Sequence, residues 1–179
     1  MFLANGFEEV EALCPLDVMR RAGLEVRTVG IGGSAITGSH GITVHADMGE
    51  EEWAAAAAET PIDAVILPGG MPGSTNLDRS VTVSEALKTA DEQGAVIAAI
   101  CAAPFILGKR GLLRGRRATC YPGFEEYLEG AAEIGGKVVR DGNVITATGM
   151  GVALEFGLEL VSVLVSPERA AAIRDAVRA

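Results

Sequence analysis

Apolar residues along this chain fall into two kinds of run. Phe2-Leu3-Ala4, Ala64-Val65-Ile66-Leu67 and Ala95 to Ile100 are short and unbroken, the pattern of strands buried on both faces. Between them apolar residues recur every three or four positions, as at Val83, Ala86, Leu87 and Ala90, which is the stripe of a helix packed on one side. Turn residues punctuate the series. Asn5-Gly6 follows the first strand, and a helix is predicted over Pro15 to Ala22, capped by Gly23. A second strand is predicted over Glu25 to Val29. Ala35-Ile36-Thr37 and Ile42-Thr43-Val44 flank Gly38-Ser39-His40-Gly41 as an inserted β-hairpin. Helices are predicted over Glu50 to Glu59 and Val81 to Gln93, the latter closed by Gly94. Pro104 is placed to open a helix running through Leu107 to Leu113. A strand over Arg117 to Cys120 precedes a hairpin of Val138-Val139 and Val144 to Thr148 around Asp141-Gly142-Asn143. Ala153 to Val165 reads as an apolar helix, and Pro167 starts a surface helix over Glu168 to Val177. This alternation predicts an α/β fold in which helices cover both faces of a doubly wound parallel sheet, a three-layer sandwich. No linker or repeat divides residues 1–179, so a single domain is expected.

Composition narrows the picture. Hydrophobic residues make up 49% of the 179 and aromatic residues only 4%, with 23 glycines, so the core is aliphatic and closely packed. A net charge of -9 opposes binding to nucleic acid or to an anionic membrane surface. No apolar run approaches the ~20 residues of a membrane span, and no signal peptide precedes the first strand, so a cytoplasmic protein is expected. The three cysteines show no short spacing that marks a disulfide framework or a zinc site. No cluster of His, Cys and carboxylates at ligand spacing is visible, so no metal is expected.

The chemistry gathers where strands end. In open α/β sheets ligands bind beyond the carboxyl ends of the strands, which brings Asn5–Glu11, Pro68–Gly73 and Cys101–Pro104 together. Cys101 stops an apolar strand at a sharp strand-to-helix turn. A helix N-terminus beneath it is expected to favour the thiolate. Gly69 and Gly70 expose backbone N–H groups that, with the N–H of Ala102, form an oxyanion hole. No Lys-Ser or Lys-Thr pair follows these glycines, which excludes a phosphate loop. Glu8, Glu9 and Glu11 follow the first strand; a carboxyl held beside the cysteine has its pKa raised by burial and like charge. His40 and His45 both lie in the inserted hairpin, far from the position of a base in a Cys-His triad.

In this order, Gly6-Phe7-Glu8-Glu9-Val10-Glu11, Pro15-Leu16-Asp17-Val18 with Arg20-Arg21-Ala22-Gly23, and Leu67-Pro68-Gly69-Gly70 form a specific series. Ala98-Ala99-Ile100-Cys101-Ala102-Ala103-Pro104 and Gly149-Met150-Gly151 with Leu154-Glu155-Phe156-Gly157 complete it. Over essentially its whole length the chain resembles the ThiJ/PfpI superfamily, in the branch of the parkinsonism-associated deglycase. The resemblance implies a flavodoxin-like homodimer. Cys101 would be the easily oxidised nucleophile, Glu11 its protonated carboxyl partner, and Gly70 and Ala102 the backbone donors. It also implies action without a cofactor on methylglyoxal and related small dicarbonyls or their adducts, as a glutathione-independent glyoxalase or deglycase. Relatives also act as redox-responsive chaperones.

Departures from the pattern shape the expectation. Amidase-like and protease-like members carry a histidine directly after the cysteine, and Ala102 stands there, which argues against peptidase and amidotransferase activity. Tyr121 precedes Pro122 where a pocket histidine is expected. Thr148 replaces an arginine, and His40 takes a hairpin position that can hold another. Tyr121 and His40 are therefore the residues expected to line the substrate side of the pocket.

Overall fold

The computed structural model describes residues 1–179. Its elements in chain order are β1 (Phe2–Ala4), α1 (Glu9–Arg21), β2 (Val29–Ile31), β3 (Ala35–Thr37), β4 (Thr43–His45) and β5 (Met48–Gly49). Then come α2 (Glu50–Glu59), β6 (Ala64–Leu67), α3 (Gly73–Arg79), α4 (Val81–Gln93), β7 (Val96–Ile100) and α5 (Pro104–Lys109). The chain closes with β8 (Arg117–Ala118), β9 (Glu133–Ile134), β10 (Val138–Asp141), β11 (Val144–Ala147), α6 (Ala153–Leu164) and α7 (Pro167–Val177).

Strands β1, β2 and β5 pair in parallel, and so do β6, β7 and β11; β10 runs antiparallel on the outer side of β11. The period-2 rule shows how the sheet is covered. Along β7, Ile97 and Ala99 belong to one core with Leu77, Val83, Leu87 and Ile106, from α3, α4 and α5. Val96, Ala98 and Ile100 belong to the other, with Met19, Phe156, Val161 and Ile173 from α1, α6 and α7. Each large side chain buried in this way contributes about 1.5–3 kcal/mol. The expected three-layer α/β arrangement is therefore present, with β3 and β4 as the inserted hairpin. No helix is long and apolar enough to cross a membrane.

Several boundaries differ from expectation, for local reasons. Helix α1 begins at Glu9 rather than Pro15, because Glu8 caps it by accepting the Glu11 N–H at 2.7 Å. Pro15 then lies inside the helix, where it forfeits a backbone bond. It sits against Gly157 of α6, whose missing side chain lets the two helices approach closely. The second strand lies at Val29–Ile31, not Glu25 to Val29, since the Thr28 N–H turns to the Asp47 carboxylate. β4 starts one residue later than expected, and β10 extends to Asp141. The helix after Cys101 ends at Lys109 rather than Leu113, where Gly111 takes φ +72°. β8 is only two residues long, because Thr119 N–H binds Thr146 Oγ1 and Tyr121 N–H binds the Cys101 carbonyl instead of continuing a ladder. The sequence pattern does not predict helix α3 or the two-residue strands β5 and β9.

Candidate active site

Cys101 directly follows β7 and keeps one further link to β11, its N–H donating to the Ala147 carbonyl at 2.8 Å. Its φ of 63° is left-handed, a conformation that L-residues rarely adopt and that stores strain. This turns the side chain off the strand, and the N–H groups of Ala102 and Gly70 face its sulfur. Gly70 reaches that position with φ 90°, and a Cβ there would strike the backbone of Phe7 and Glu8. At Gly69 a Cβ would collide with both Glu11 Oε2 and Cys101 Cβ. Glycine at 69 is therefore what lets the carboxyl and the cysteine meet.

Glu11 is only 1% exposed, and its Oε2 has no nitrogen or oxygen partner. Around the carboxyl stand the Cys101 thiol and the N–H groups of Gly69 and Met150. Burial, with the charge of Glu8 adding to it, outweighs those contacts and raises its pKa to about 7. Burial is also the first cause at Cys101, followed by the Glu11 charge and the hydrogen bond between the two groups; together they push the thiol up to about 12 against the Ala102 and Gly70 donors. This corrects the expectation that the helix end lowers the thiol pKa. α5 has six residues and the carboxyl is nearer, so local charge and burial win over the dipole. Burial likewise raises Cys120, to about 11, and raises Cys14.

The structure thus brings together Cys101, Glu11, Gly69, Gly70 and Ala102. Tyr121 joins them through its N–H on the Cys101 carbonyl, and its exposed ring lies along Gly149, with Glu11 Oε1 on the same side. His40 is engaged elsewhere. Its backbone N–H and its Nδ1 meet the Glu9 carboxylate at 2.8 and 2.9 Å, and Nδ1 lies 3.9 Å from Glu8 Oε1. It belongs to a latch between the β3–β4 hairpin and the start of α1. Burial alone would raise Glu9, but the His40 side chain and the N–H groups of His40 and Ile42 hold it down at about 2.

One further expectation is corrected here. Glu8, Glu9 and His40 each bring a ligand-type atom within 4.8 Å of the others, so a His-carboxylate cluster does exist. The spacing concealed it, because the hairpin brings His40 back over residues about thirty positions earlier. The contributions of Gly149 and Met150 were also missed as site residues. Their signal was the Gly149-Met150-Gly151 run directly after a buried strand.

Residues 1–163 match the model of the DJ-1/PfpI family. The chain is 38% identical to the protein dj-1beta of Drosophila melanogaster over 172 residues, covering 94% of this chain and 90% of that one. It is 34% identical over 164 residues to a deglycase of Pyrococcus abyssi, covering 90% and 95% of the two chains. The solved structure of oxidized Toxoplasma gondii DJ-1 superposes with a TM-score of 0.91 at 35% identity, over 98% of this chain and 95% of that one. With its Cys101 turn, buried Glu11 and glycine-built donor loop in place, this chain belongs to the DJ-1/PfpI family.

Proposed function

We propose that the protein is a cofactor-free glyoxalase or deglycase acting on methylglyoxal and related dicarbonyls or their adducts. The observation that carries the reading is the pair of Glu11 and Cys101. A buried carboxyl that titrates near neutrality, with one oxygen unpartnered, stands beside a thiol turned out of its strand under two N–H donors. The deglycase of P. abyssi among its relatives supports activity of this class.

The raised thiol pKa shapes the chemistry. Cys101 reacts as a thiol whose proton passes to the Glu11 carboxylate as sulfur bonds to the aldehyde carbon, an activation by an adjacent base. The carbonyl oxygen, now carrying the electron pair, is stabilised by Gly70 and Ala102 N–H and takes that proton from Glu11 to give the hemithioacetal, which leaves Glu11 a carboxylate again. Glu11 next removes the proton on the former aldehyde carbon and returns one to the neighbouring carbon through an enediol. That transfer oxidises the first carbon to a thioester and reduces the second to an alcohol. Water then cleaves the thioester, releasing lactate and restoring the thiol. An adduct enters by the same attack once its carbonyl is exposed. The family resemblance adds a homodimer to this reading, and exposed Val10 and Met150 near Glu11 offer apolar surface for one.

The deciding experiment is a lactate assay on freshly reduced protein beside Cys101→Ser and Glu11→Gln. Wild type forms lactate and Cys101→Ser forms none; equal turnover by Cys101→Ser overturns the reading. A second reading is a redox-responsive role using the same sulfur, which the oxidized state of the T. gondii relative favours. Its sign is stoichiometric addition of two oxygen atoms to Cys101 under peroxide, seen by mass spectrometry in a protein without lactate turnover.

A further inference from the structure

We propose that Asp78 is a positioning residue that keeps the Gly70 and Ala102 N–H groups in register over Cys101; this rests on the reading of those groups as oxyanion donors. The loop carrying Gly70 leads into α3, and the turn carrying Ala102 leads into α5. Both helices are short, seven and six residues, and neither has a side-chain N-cap. Helices of that length do not hold themselves in water, so the placement of their first turns depends on what fixes the rest of each helix.

Core packing of Leu77 and Ile106 holds the bodies of the two helices, and a polar network joins their far ends. Asp78 Oδ1 accepts from Arg110 Nη1 at 2.6 Å, and Oδ2 accepts from Lys109 Nζ at 2.9 Å. Arg110 Nη2 also donates to the Asp78 carbonyl at 2.9 Å, and its Nη1 to the Ile106 carbonyl at 3.1 Å. One guanidinium thus grips the end of α3 and the last turn of α5 together. The carboxylate is mostly buried, at 17% side-chain exposure against 20% for Arg110, so this is not a solvated surface pair. Arg110 Nε is buried without a partner, so the guanidinium has no alternative acceptor on that edge. Loss of Asp78 lets α3 and α5 shift against each other, and with them the two donors.

The test compares Asp78→Asn with Asp47→Asn. Asp47 is a networked carboxylate just before the edge strand β5, bonded to Thr28 and Arg20. Both variants lose thermal stability. Asp78→Asn alone is expected to lower kcat for methylglyoxal about tenfold with KM within roughly twofold, a fraction of the loss from removing an oxyanion donor outright. It also slows alkylation of Cys101 by iodoacetamide at mildly alkaline pH, because the donors that favour the thiolate have moved. Unchanged kcat and alkylation in Asp78→Asn, matching Asp47→Asn, overturn the proposal. Should Asp78→Asn fail to fold, Arg110→Lys decides. It keeps a cation on Oδ1 but loses the grip on the Asp78 carbonyl, and unchanged alkylation in it is equally fatal. Absence of turnover in wild type defeats the proposed function, while the alkylation comparison still decides the role of Asp78.

Discussion

Glu9 and Glu11 stand two residues apart in the first turn of α1, and both are almost fully buried, at 4% and 1% exposure. Burial pushes both carboxyls toward the neutral form, yet one ends at about 2 and the other at about 7. The difference lies in what each side of the helix faces. Glu9 points at the hairpin, where backbone N–H groups, the Ser39 hydroxyl and an imidazole aim at its oxygens. Glu11 points inward at a thiol across Gly69, where burial and the Glu8 charge outweigh that thiol and the Gly69 and Met150 N–H groups, and Oε2 is left unpartnered. Where donors outweigh burial a carboxyl becomes a structural anion, and where burial outweighs them it stays ready to exchange a proton. The same turn of helix serves both ends.

The strongest way to break this contrast is Glu11→Gln. The amide cannot shuttle a proton, so lactate formation should fall by roughly 10²–10⁴-fold, the usual contribution of a general acid–base group. Alkylation of Cys101 by iodoacetamide should move the opposite way and accelerate. Glu11 raises the thiol pKa through its charge and its hydrogen bond, and the substitution leaves burial as the main remaining cause. A drop in both rates would show that the amide disrupts the site generally. A drop in neither would move the proton transfer to another group.

The residues of the proposed site stand out in the sequence, and those of the latch do not. Cys101, Ala102 and the Gly69-Gly70 pair stand out because each belongs to a short local pattern, an apolar strand ending at a turn. The sheet follows from alternation alone. Contacts that join residues distant in sequence left no such mark. His40 reaches Glu9 only because the hairpin folds back, so this latch contact has no mark in either segment. α3 has seven residues and too little periodicity to register, and its tie to α5 through Asp78 is invisible in either segment. Pro15 hid the first two turns of α1, since a proline is normally read as a helix start. The thiol pKa departs from the sequence expectation for a related reason. A helix end can be read from sequence, but a carboxyl folded against sulfur cannot.

Stability as a function of pH separates the two carboxyls by sign. The folded-state pKa of Glu11 is raised from the ordinary 4.5 to about 7, so the folded protein holds its proton more tightly than the unfolded chain does. The stabilisation is full below about pH 4.5 and is lost as pH rises through about 7, by at most about 3 kcal/mol. Glu9 is depressed to about 2, so its contribution is present above about pH 4.5 and is lost as pH falls toward 2. Urea unfolding at about pH 5 and pH 8 should show wild type losing more stability on the alkaline side than Glu11→Gln. Equal losses would mean that Glu11 is not protonated in the folded state near neutrality.

Glu9→Gln should cost ~2 kcal/mol at neutral pH, because a buried carboxylate that accepts several hydrogen bonds is replaced by an amide whose NH₂ faces donors. Thermal unfolding would register this as a lower midpoint, with Cys101 alkylation little changed. A variant as stable as wild type would mean that the hairpin is held by its backbone bonds alone. Those include Ser39 N–H on the Phe7 carbonyl at 2.7 Å and Gly6 N–H on the Thr37 carbonyl at 2.8 Å.

The smallest effect belongs to His40→Ala. The imidazole is one of several donors to Glu9, and its side chain is 70% exposed, so solvent screens most of its charge. Its backbone N–H stays on Glu9 in the variant, as does that of Ile42. Stability should therefore fall only slightly, as for other exposed ion pairs. The loss should be greatest at low pH, because Glu9 raises the His40 pKa and the charged pair exists only below it. Turnover of methylglyoxal should stay within roughly threefold. A much larger fall in kcat/KM, with stability intact, would place the imidazole in contact with substrate after all. The latch and the reactive pair would then act as one site rather than two, and His40 would return to the pocket role that its position in the sequence suggested.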